Sequence, residues 1–390
     1  MKLSVQLVVW NGAKYIPYLF ASLRQQTYQD WSLLVVDNNS NDDTLAAITR
    51  ELANFPAAYR MLENKENLGF AGGHNQAFKE NDSEYILLLN QDMYLRPDCL
   101  EKMVKFLDEH PEAAAVSPRL MKWDFASICH SDRAERVEES LKIERDPSTA
   151  LGMTNIIDAL GLKIFRNRRV IEWATGQEWP KVEKTLSCHC EEPALGGDEA
   201  IPCLMRDCRA PKGARNDSLE VFGLSGAFPM YRRSALKEIL FSNGDFLDSS
   251  YHSYKEDVDI SYRLASRGWK SFVLLDSVAY HDRSGAGPKE MTDSAALANK
   301  KTHSPWVKYN SYKNHLMTIF KNEYGRNFIL DFPWIIWYEL KKFLYLLLFD
   351  RKVLAGLSEV WRLRQELAQK RQLIKKLRKV DYKEIRKWWK

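Results

Sequence analysis

Cysteine is scarce, with six residues in 390. A chain of this length can bury a sizeable core without cross-links, so no disulfide framework is expected. No apolar run reaches the ~20 residues that a membrane-spanning helix needs. The nearest candidate, residues 328–349, reads FILDFPWIIWYELKKFLYLLLF and is broken by Asp331, Glu339, Lys341 and Lys342. The opening Met1-Lys2-Leu3-Ser4-Val5 passes straight into a strand-like pattern, without a long apolar stretch or a small-residue cleavage site. It therefore reads as no secretory signal. Internal repeats and low-complexity tracts are also missing.

What is present is a mixed, charged surface and an asymmetric charge. Hydrophobic residues make up 45% and charged residues 28% of the chain. The overall net charge is +5, yet residues 350–390 alone carry +9, leaving −4 on the rest. A mildly acidic body with a basic tail points to contact with an anionic surface. Nucleic acid is not the expected partner, because no nucleic-acid-binding motif accompanies the tail.

The first third alternates strand and helix patterns. Apolar runs at Leu3–Val9, Trp31–Val36, Tyr85–Leu89 and Ala113–Val116 read as buried strands. Helical spacing appears at Ile16–Gln26, Leu45–Leu52, Ala71–Lys79 and Leu100–Leu107. This alternation predicts an α/β fold with a mostly parallel sheet covered on both faces. Ligands in such sheets sit at the carboxyl ends of the strands. About residues 119–220 the pattern becomes irregular, as in an insertion holding Cys188, Cys190, Cys203 and Cys208. Regularity returns with Val221–Ala227, a helix at Val258–Arg267 and a strand at Lys270–Leu275.

Three polar clusters lie beyond strands or at a helix start. Asp37-Asn38-Asn39-Ser40 ends the second strand, where Asp37 could cap a helix or accept a hydrogen bond from a pyrimidine N3–H. Asn90-Gln91-Asp92 ends the Tyr85–Leu89 strand. Asp92 there could be an ordinary turn residue or a ligand for a hard divalent cation. Glu256-Asp257 opens a helix, where acidic groups are favoured by the dipole and a general base could equally stand. His281 follows the next strand, as a structural imidazole or a metal ligand.

The order and spacing of these clusters resemble the inverting family 2 glycosyltransferases over roughly residues 3–285. The resemblance is carried by Ser4–Asn11, Gln25-Gln26-Thr27-Tyr28, Val35–Ser40, Asn67–Asn75, Asn90-Gln91-Asp92, Ser225-Gly226-Ala227, Tyr231-Arg232-Arg233, Lys255–Asp259 and His281. Asn90-Gln91-Asp92 occupies the family's Asp-x-Asp position, in a form like the Asn-Pro-Asp of bacterial rhamnosyltransferase-like members. The resemblance implies a GT-A-type nucleotide-diphospho-sugar transferase fold. It implies that Asp37, Asn39, Gly69, Gly72, Gly73, Asn75, Asn90, Gly226, Ala227, Glu256 and Trp269 bind substrate. Asp92 and His281 would hold Mg²⁺ or Mn²⁺, and Asp257 would be the catalytic base. The donor would be a dTDP- or UDP-sugar, with rhamnose as one candidate sugar. The acceptor would be a glycan or a polyprenyl-diphosphate-linked glycan. A nucleotidyltransferase of similar sheet architecture and a catalytically degenerate glycan-binding scaffold are the alternatives.

Two further expectations concern the remaining segments. The cysteines of the insertion could form a structural Zn²⁺ site. Residues 286–390 are expected to be a helical membrane-associating region, with Trp334, Trp337, Tyr338 and Tyr345 at headgroup level. A core-packing helical hairpin is the competing reading. The protein would then work in the cytoplasm, peripherally at the inner face of the cell membrane.

Overall fold

The computed structural model describes residues 1–127, 152–188, 217–283 and 303–389. Its strands are β1 (Leu3–Val9), β2 (Trp31–Asp37), β3 (Ala58–Glu63), β4 (Tyr85–Leu89), β5 (Met93–Leu95), β6 (Ala113–Trp123), β7 (Met153–Ala159), β8 (Leu162–Ile164), β9 (Val170–Glu172), β10 (Ser218–Val221), β11 (Met230–Arg232) and β12 (Lys270–His281). The main sheet runs β10-β12-β6-β11-β4-β1-β2-β3, with β5 added on β12 and β7 on β6. Its long ladders are parallel: β4, β1, β2 and β3 form one block, and β6 with β12 another. Antiparallel β11 joins the two blocks.

Every residue of β4, Tyr-Ile-Leu-Leu-Leu, is buried. A continuous apolar strand of this kind requires cover on both faces. One face packs on helices α1 (Ile16–Arg24), α2 (Thr44–Leu52) and α4 (Cys99–Glu109), through Ile16, Leu19, Phe20, Ile48, Leu100 and Met103. The other packs on α3 (Gly69–Lys79) and α7 (Glu256–Ser266), through Ala77, Phe78, Ile260 and Leu264. Two short helices complete this body, α5 (Trp179–Cys188) and α6 (Arg233–Lys237).

The stretch expected to be irregular is in part integral to the sheet. β6 runs on to Trp123, β7 pairs with it, and β8–β9 form a small hairpin. β8 and β9 are only three residues each, and β7, Met-Thr-Asn-Ile-Ile-Asp-Ala, has no apolar run, which hid them from a periodicity reading. β3 escaped for another reason: its sequence Ala-Tyr-Arg-Met-Leu-Glu is a largely exposed edge without an apolar run. Cys190, Cys203 and Cys208 lie outside the described residues, and so does the expected zinc site. Cys188 ends α5.

Beyond residue 303 the chain is helical: α8 (Pro305–Asn322), α9 (Gly325–Phe349), α10 (Ala355–Arg362), α11 (Arg364–Leu377) and α12 (Tyr382–Arg386). Helix α9 is inverted with respect to an ordinary surface helix. Asn327 and Asp331 are buried, and Glu339 is nearly so; Asp331 pairs with Arg166, Arg168 and Arg386, and Glu339 with His315 at 2.7 Å. Its outward residues are Ile329, Leu330, Phe332, Trp334, Ile336, Trp337, Leu340, Leu344, Leu348 and Phe349, all at least 42% exposed. The basic tail divides its work. Arg371 and Arg378 turn inward to the last carbonyls of the α8 region, at Phe320, Asn322 and Glu323. Arg351, Lys352, Arg362, Lys375 and Lys376 face solvent.

Candidate active site

The polar clusters converge at the carboxyl edge of the sheet because β1, β2 and β4 are parallel and in close register. Asp37 is the last residue of β2, paired with Val9 of β1. Its buried carboxylate accepts the Ser40 N–H at 3.1 Å and the Ser40 hydroxyl at 2.6 Å. Asn38 donates to the Gly69 carbonyl at 3.0 Å, tying this strand end to the start of α3. Asn39 is exposed and left-handed, with φ +61°.

The ends of β4 and β12 meet next. The backbone N–H of Asn90 donates to the Ala227 carbonyl at 3.1 Å, and that of Asp282 to the Asp92 carbonyl at 3.0 Å. These bonds set Asp92 beside His281, with Oδ1 to Nε2 at 3.4 Å. The other imidazole nitrogen, Nδ1, lies 2.9 Å from Asp158 on β7. Burial works against a charge on His281, but Asp92 and Asp158 outweigh it and push its pKa up to about 10. Asp158 also faces Arg283, which pairs with Glu172 and donates to Ser225 Oγ at 3.1 Å.

The Asp92–His281 pair fits a divalent cation of the Mg²⁺ or Mn²⁺ type. A carboxylate oxygen and an imidazole nitrogen point at one another, and Asp158 fixes the ring from behind, as outer partners of metal-bound histidines do. A cation would displace the proton on Nε2. Among the described residues, no group of three or more His, Cys, Asp and Glu side chains is placed to hold a metal. Two protein ligands would therefore need completion by donor phosphates and water.

The third part is the N-terminus of α7. Gly226 stands against it, with its N–H 3.4 Å from Asp257 Oδ2, while Oδ1 accepts the Val258 N–H at 2.8 Å. Asp257 is partly accessible, whereas Glu256 is buried and its Oε2 has no hydrogen-bond partner. Burial, then the neighbouring Asp257, push Glu256 up from an ordinary 4.5 to about 8. Burial likewise raises Asp257, opposed by Lys255 and by the backbone N–H groups of Val258, Gly226 and Asp257 itself.

The raised value at Glu256 has a stability consequence. The fold favours the neutral acid, so this stabilisation is complete below the ordinary value and is lost as pH rises through about 8. Glu256→Gln keeps the shape and removes the titration. Its melting temperature should match wild type near pH 4 and exceed it by roughly 2–5 °C at pH 8–9. A gap that does not change with pH in differential scanning fluorimetry would rule out this carboxyl as the titrating group.

Several expected substrate contacts have other occupations. Asn75 is saturated: its amide donates to the Leu247 carbonyl and Ser249 Oγ, and its oxygen accepts the Phe246 and Leu247 N–H groups. A buried mid-helix amide must satisfy all these bonds, and it does so by holding the loop before α7. At Gly73 the space is taken by Val8 and Asn38, so this glycine serves helix–sheet packing instead of close approach of backbone to a donor. Gly72 sits inside α3. Trp269 lies past the far end of α7, which runs about 14 Å from Asp257 to Ser266, and packs partly buried against the core. Gly69 opens α3 beside Asn38, which donates to its carbonyl; its φ is +72°, and a Cβ would strike the His252 carbonyl. Asp158, Glu172 and Arg283 went unnoticed in the sequence, because β7 carries no apolar run, β9 is only three residues long, and Arg283 stands just past the end of β12.

A parallel sheet with carboxylates at its carboxyl edge, a histidine returning beside one of them and an acidic helix start define a GT-A-type fold. The glycosyl transferase family 2 model matches residues 4–240, more than half of the chain, and the protein belongs to that family. It is 22% identical over 322 residues to an N-acetylglucosaminyl-diphospho-decaprenol L-rhamnosyltransferase of Mycobacterium tuberculosis, covering 78% of this chain and 86% of that one. It is 27% identical over 123 residues to the EpsE protein of Bacillus subtilis, covering 32% of this chain and 44% of that one. The chain thus spans under half the length of EpsE. Among solved structures, GalNAc-T7 with UDP, GalNAc and Mn²⁺ superposes with a TM-score of 0.52 at 12% identity, covering 82% of this chain and 48% of that one.

Proposed function

We propose that the protein is an inverting glycosyltransferase that moves a sugar from a nucleotide diphosphate sugar to a glycan or lipid-linked acceptor in cell-surface polysaccharide synthesis. The observation that carries this reading is one connected path of side chains along the carboxyl edge of the sheet. Asp92 meets His281, Asp158 joins His281 to Arg283, and Arg283 reaches Ser225 next to Gly226, which meets Asp257. Asp257 then takes the proton of the acceptor hydroxyl as its oxygen attacks the anomeric carbon. The bond from that carbon to the diphosphate breaks, and the configuration inverts. Asp37 is the proposed contact to the nucleotide base, and Asp92 with His281 the ligands of Mg²⁺ or Mn²⁺. When bound, that cation would neutralise charge on the departing diphosphate. The test is a hydrolysis and transfer panel of UDP-, dTDP- and GDP-sugars, dTDP-L-rhamnose among them, with Mg²⁺, Mn²⁺ or EDTA. Turnover of none of these donors sinks the reading, and full activity in EDTA removes the metal assignment.

The same reading places the protein peripherally on the cytoplasmic face of a membrane. Among the described residues, no helix is long and apolar enough to cross a bilayer. The outward face of α9, with Trp361 of α10 69% exposed and basic residues beside it, suits the interface instead. Trp337→Ala and Phe349→Ala should each weaken binding to phosphatidylglycerol-containing vesicles by roughly tenfold. Binding should also weaken as salt rises. Vesicle sedimentation that is indifferent to both substitutions would reject the membrane assignment.

A further inference from the structure

The loop before the proposed base presents aromatic rings that the mechanism leaves unused. Tyr254, three residues before Asp257, is 41% exposed, and Trp306, in the first turn of α8, is 49% exposed. Their ring centroids are 5.7 Å apart at 68°, and Trp306 lies equally 5.7 Å from the His252 ring at 83°. The backbone here is strained. His252, Tyr254 and Lys255 all have φ between +61° and +73°, a region that bulky residues rarely occupy. Such strain persists only where the surroundings enforce it, and it gathers at functional sites.

The enforcement is visible. Buried Asn314 of α8 donates to the carbonyls of Tyr251, Ser253 and Tyr254 at 3.1, 2.9 and 2.7 Å. The His252 carbonyl accepts the Ala71 N–H at 3.3 Å. The loop also reaches the surroundings of Asp257: Ser253 Oγ approaches the Phe70 N–H at 3.5 Å, and Phe70 and Asp257 both stand within 4 Å of a Cβ placed on Gly226. An exposed tyrosine on left-handed backbone therefore adds strain while leaving much of its ring in water.

We propose that Tyr254 and Trp306 form a stacking platform for a pyranose ring of the acceptor, held beside Asp257. A pyranose has an apolar C–H face and a rim of hydroxyls. Because the two rings stand at 68° to each other, one stacks on the face while the other walls its edge, and Ser253 Oγ and the His252 imidazole offer polar partners for the rim. The identity of this sugar as the acceptor rests on the glycosyltransferase reading; the stacking does not.

Saturation-transfer NMR of the full chain with methyl pyranosides of glucose, galactose, N-acetylglucosamine and rhamnose tests the platform directly. At least one should receive saturation at its ring C–H protons. The signal should fall by about tenfold in Trp306→Ala and Tyr254→Ala and survive in Tyr254→Phe, which keeps the ring. In transfer assays the two alanine variants should raise the acceptor KM and leave donor hydrolysis and nucleotide affinity unchanged. The proposal is overturned if no pyranoside is saturated, or if both alanine variants retain the signal. It is equally overturned if Trp306→Ala loses vesicle binding while sugar saturation stays intact, since Trp306 would then belong to the lipid-facing surface. A protein that turns over no nucleotide sugar yet binds pyranosides on these rings would sink the enzymatic reading and leave the platform standing.

Discussion

Asp257→Asn is expected to lower kcat for sugar transfer by ~10²–10⁴-fold, with donor affinity nearly unchanged. The amide is isosteric and can still accept the Val258 N–H, so the start of α7 is preserved. What disappears is the ability to take a proton. An acceptor hydroxyl is far less acidic than a carboxylic acid, so proton transfer must accompany bond formation. Because burial raises the Asp257 carboxyl, wild-type kcat should fall with acid at a higher pH than an ordinary carboxylate would dictate. Pre-steady-state transfer and calorimetry with the nucleoside diphosphate check both halves. If the variant loses nucleotide affinity instead, Asp257 supports the donor site and Glu256 inherits the question of the base.

Lys321→Met should unfold the protein on the order of 5–10 °C below wild type at pH 7, reflecting ~3–5 kcal/mol for a broken buried pair. Lys321 has no solvent exposure and lies between two equally buried carboxylates, Asp248 and Asp259, the latter at 2.9 Å. Lys370 still neutralises Asp248 at 2.6 Å, and Arg263 still neutralises Asp259 at 2.9 Å. Two carboxylates then share less positive charge than their burial demands. Burial opposes ionisation of both, but the lysine and its basic neighbours hold both below the ordinary carboxylate range. Their contribution is present above that range and fades as pH falls through the depressed values. The gap between wild type and variant should therefore narrow in strong acid. A melting temperature within 2 °C of wild type at pH 7 would show that Lys321 is dispensable.

Elements with strong periodicity were legible in the sequence, and those defined by pairing were not. β1, β2 and β4 are buried on both faces and announce themselves as apolar runs, and the paired helices follow from 3.6-residue spacing. β3 is an exposed edge and β7 is interrupted by Thr154, Asn155 and Asp158, so each exists through its neighbour's hydrogen bonds more than through its own composition. The site divides in the same way. Asp92, His281 and Asp257 sit at ends of readable elements, whereas Asp158, which orients His281, comes from β7. Asn75 shows the reverse error: a polar residue in a recognisable motif proved to be a structural clasp. Trp269 was misplaced because a motif gives order along the chain, while the length of α7 decides which end of the sheet a residue reaches.

The polar side of α9 settles how the purified protein should behave in a tube. With Asp331 and Glu339 turned inward, water meets a greasy ridge that nothing else in the described chain covers. In aqueous buffer, copies should associate through this ridge as concentration rises, and mild detergent should disperse them without touching the sheet. Purification protocols that omit detergent would then select aggregates, and low measured activity in such preparations would report the colloid, not the catalyst. Light scattering with and without dodecyl maltoside, compared between wild type and Trp337→Ala, would expose this handling artefact before any kinetic constant is trusted.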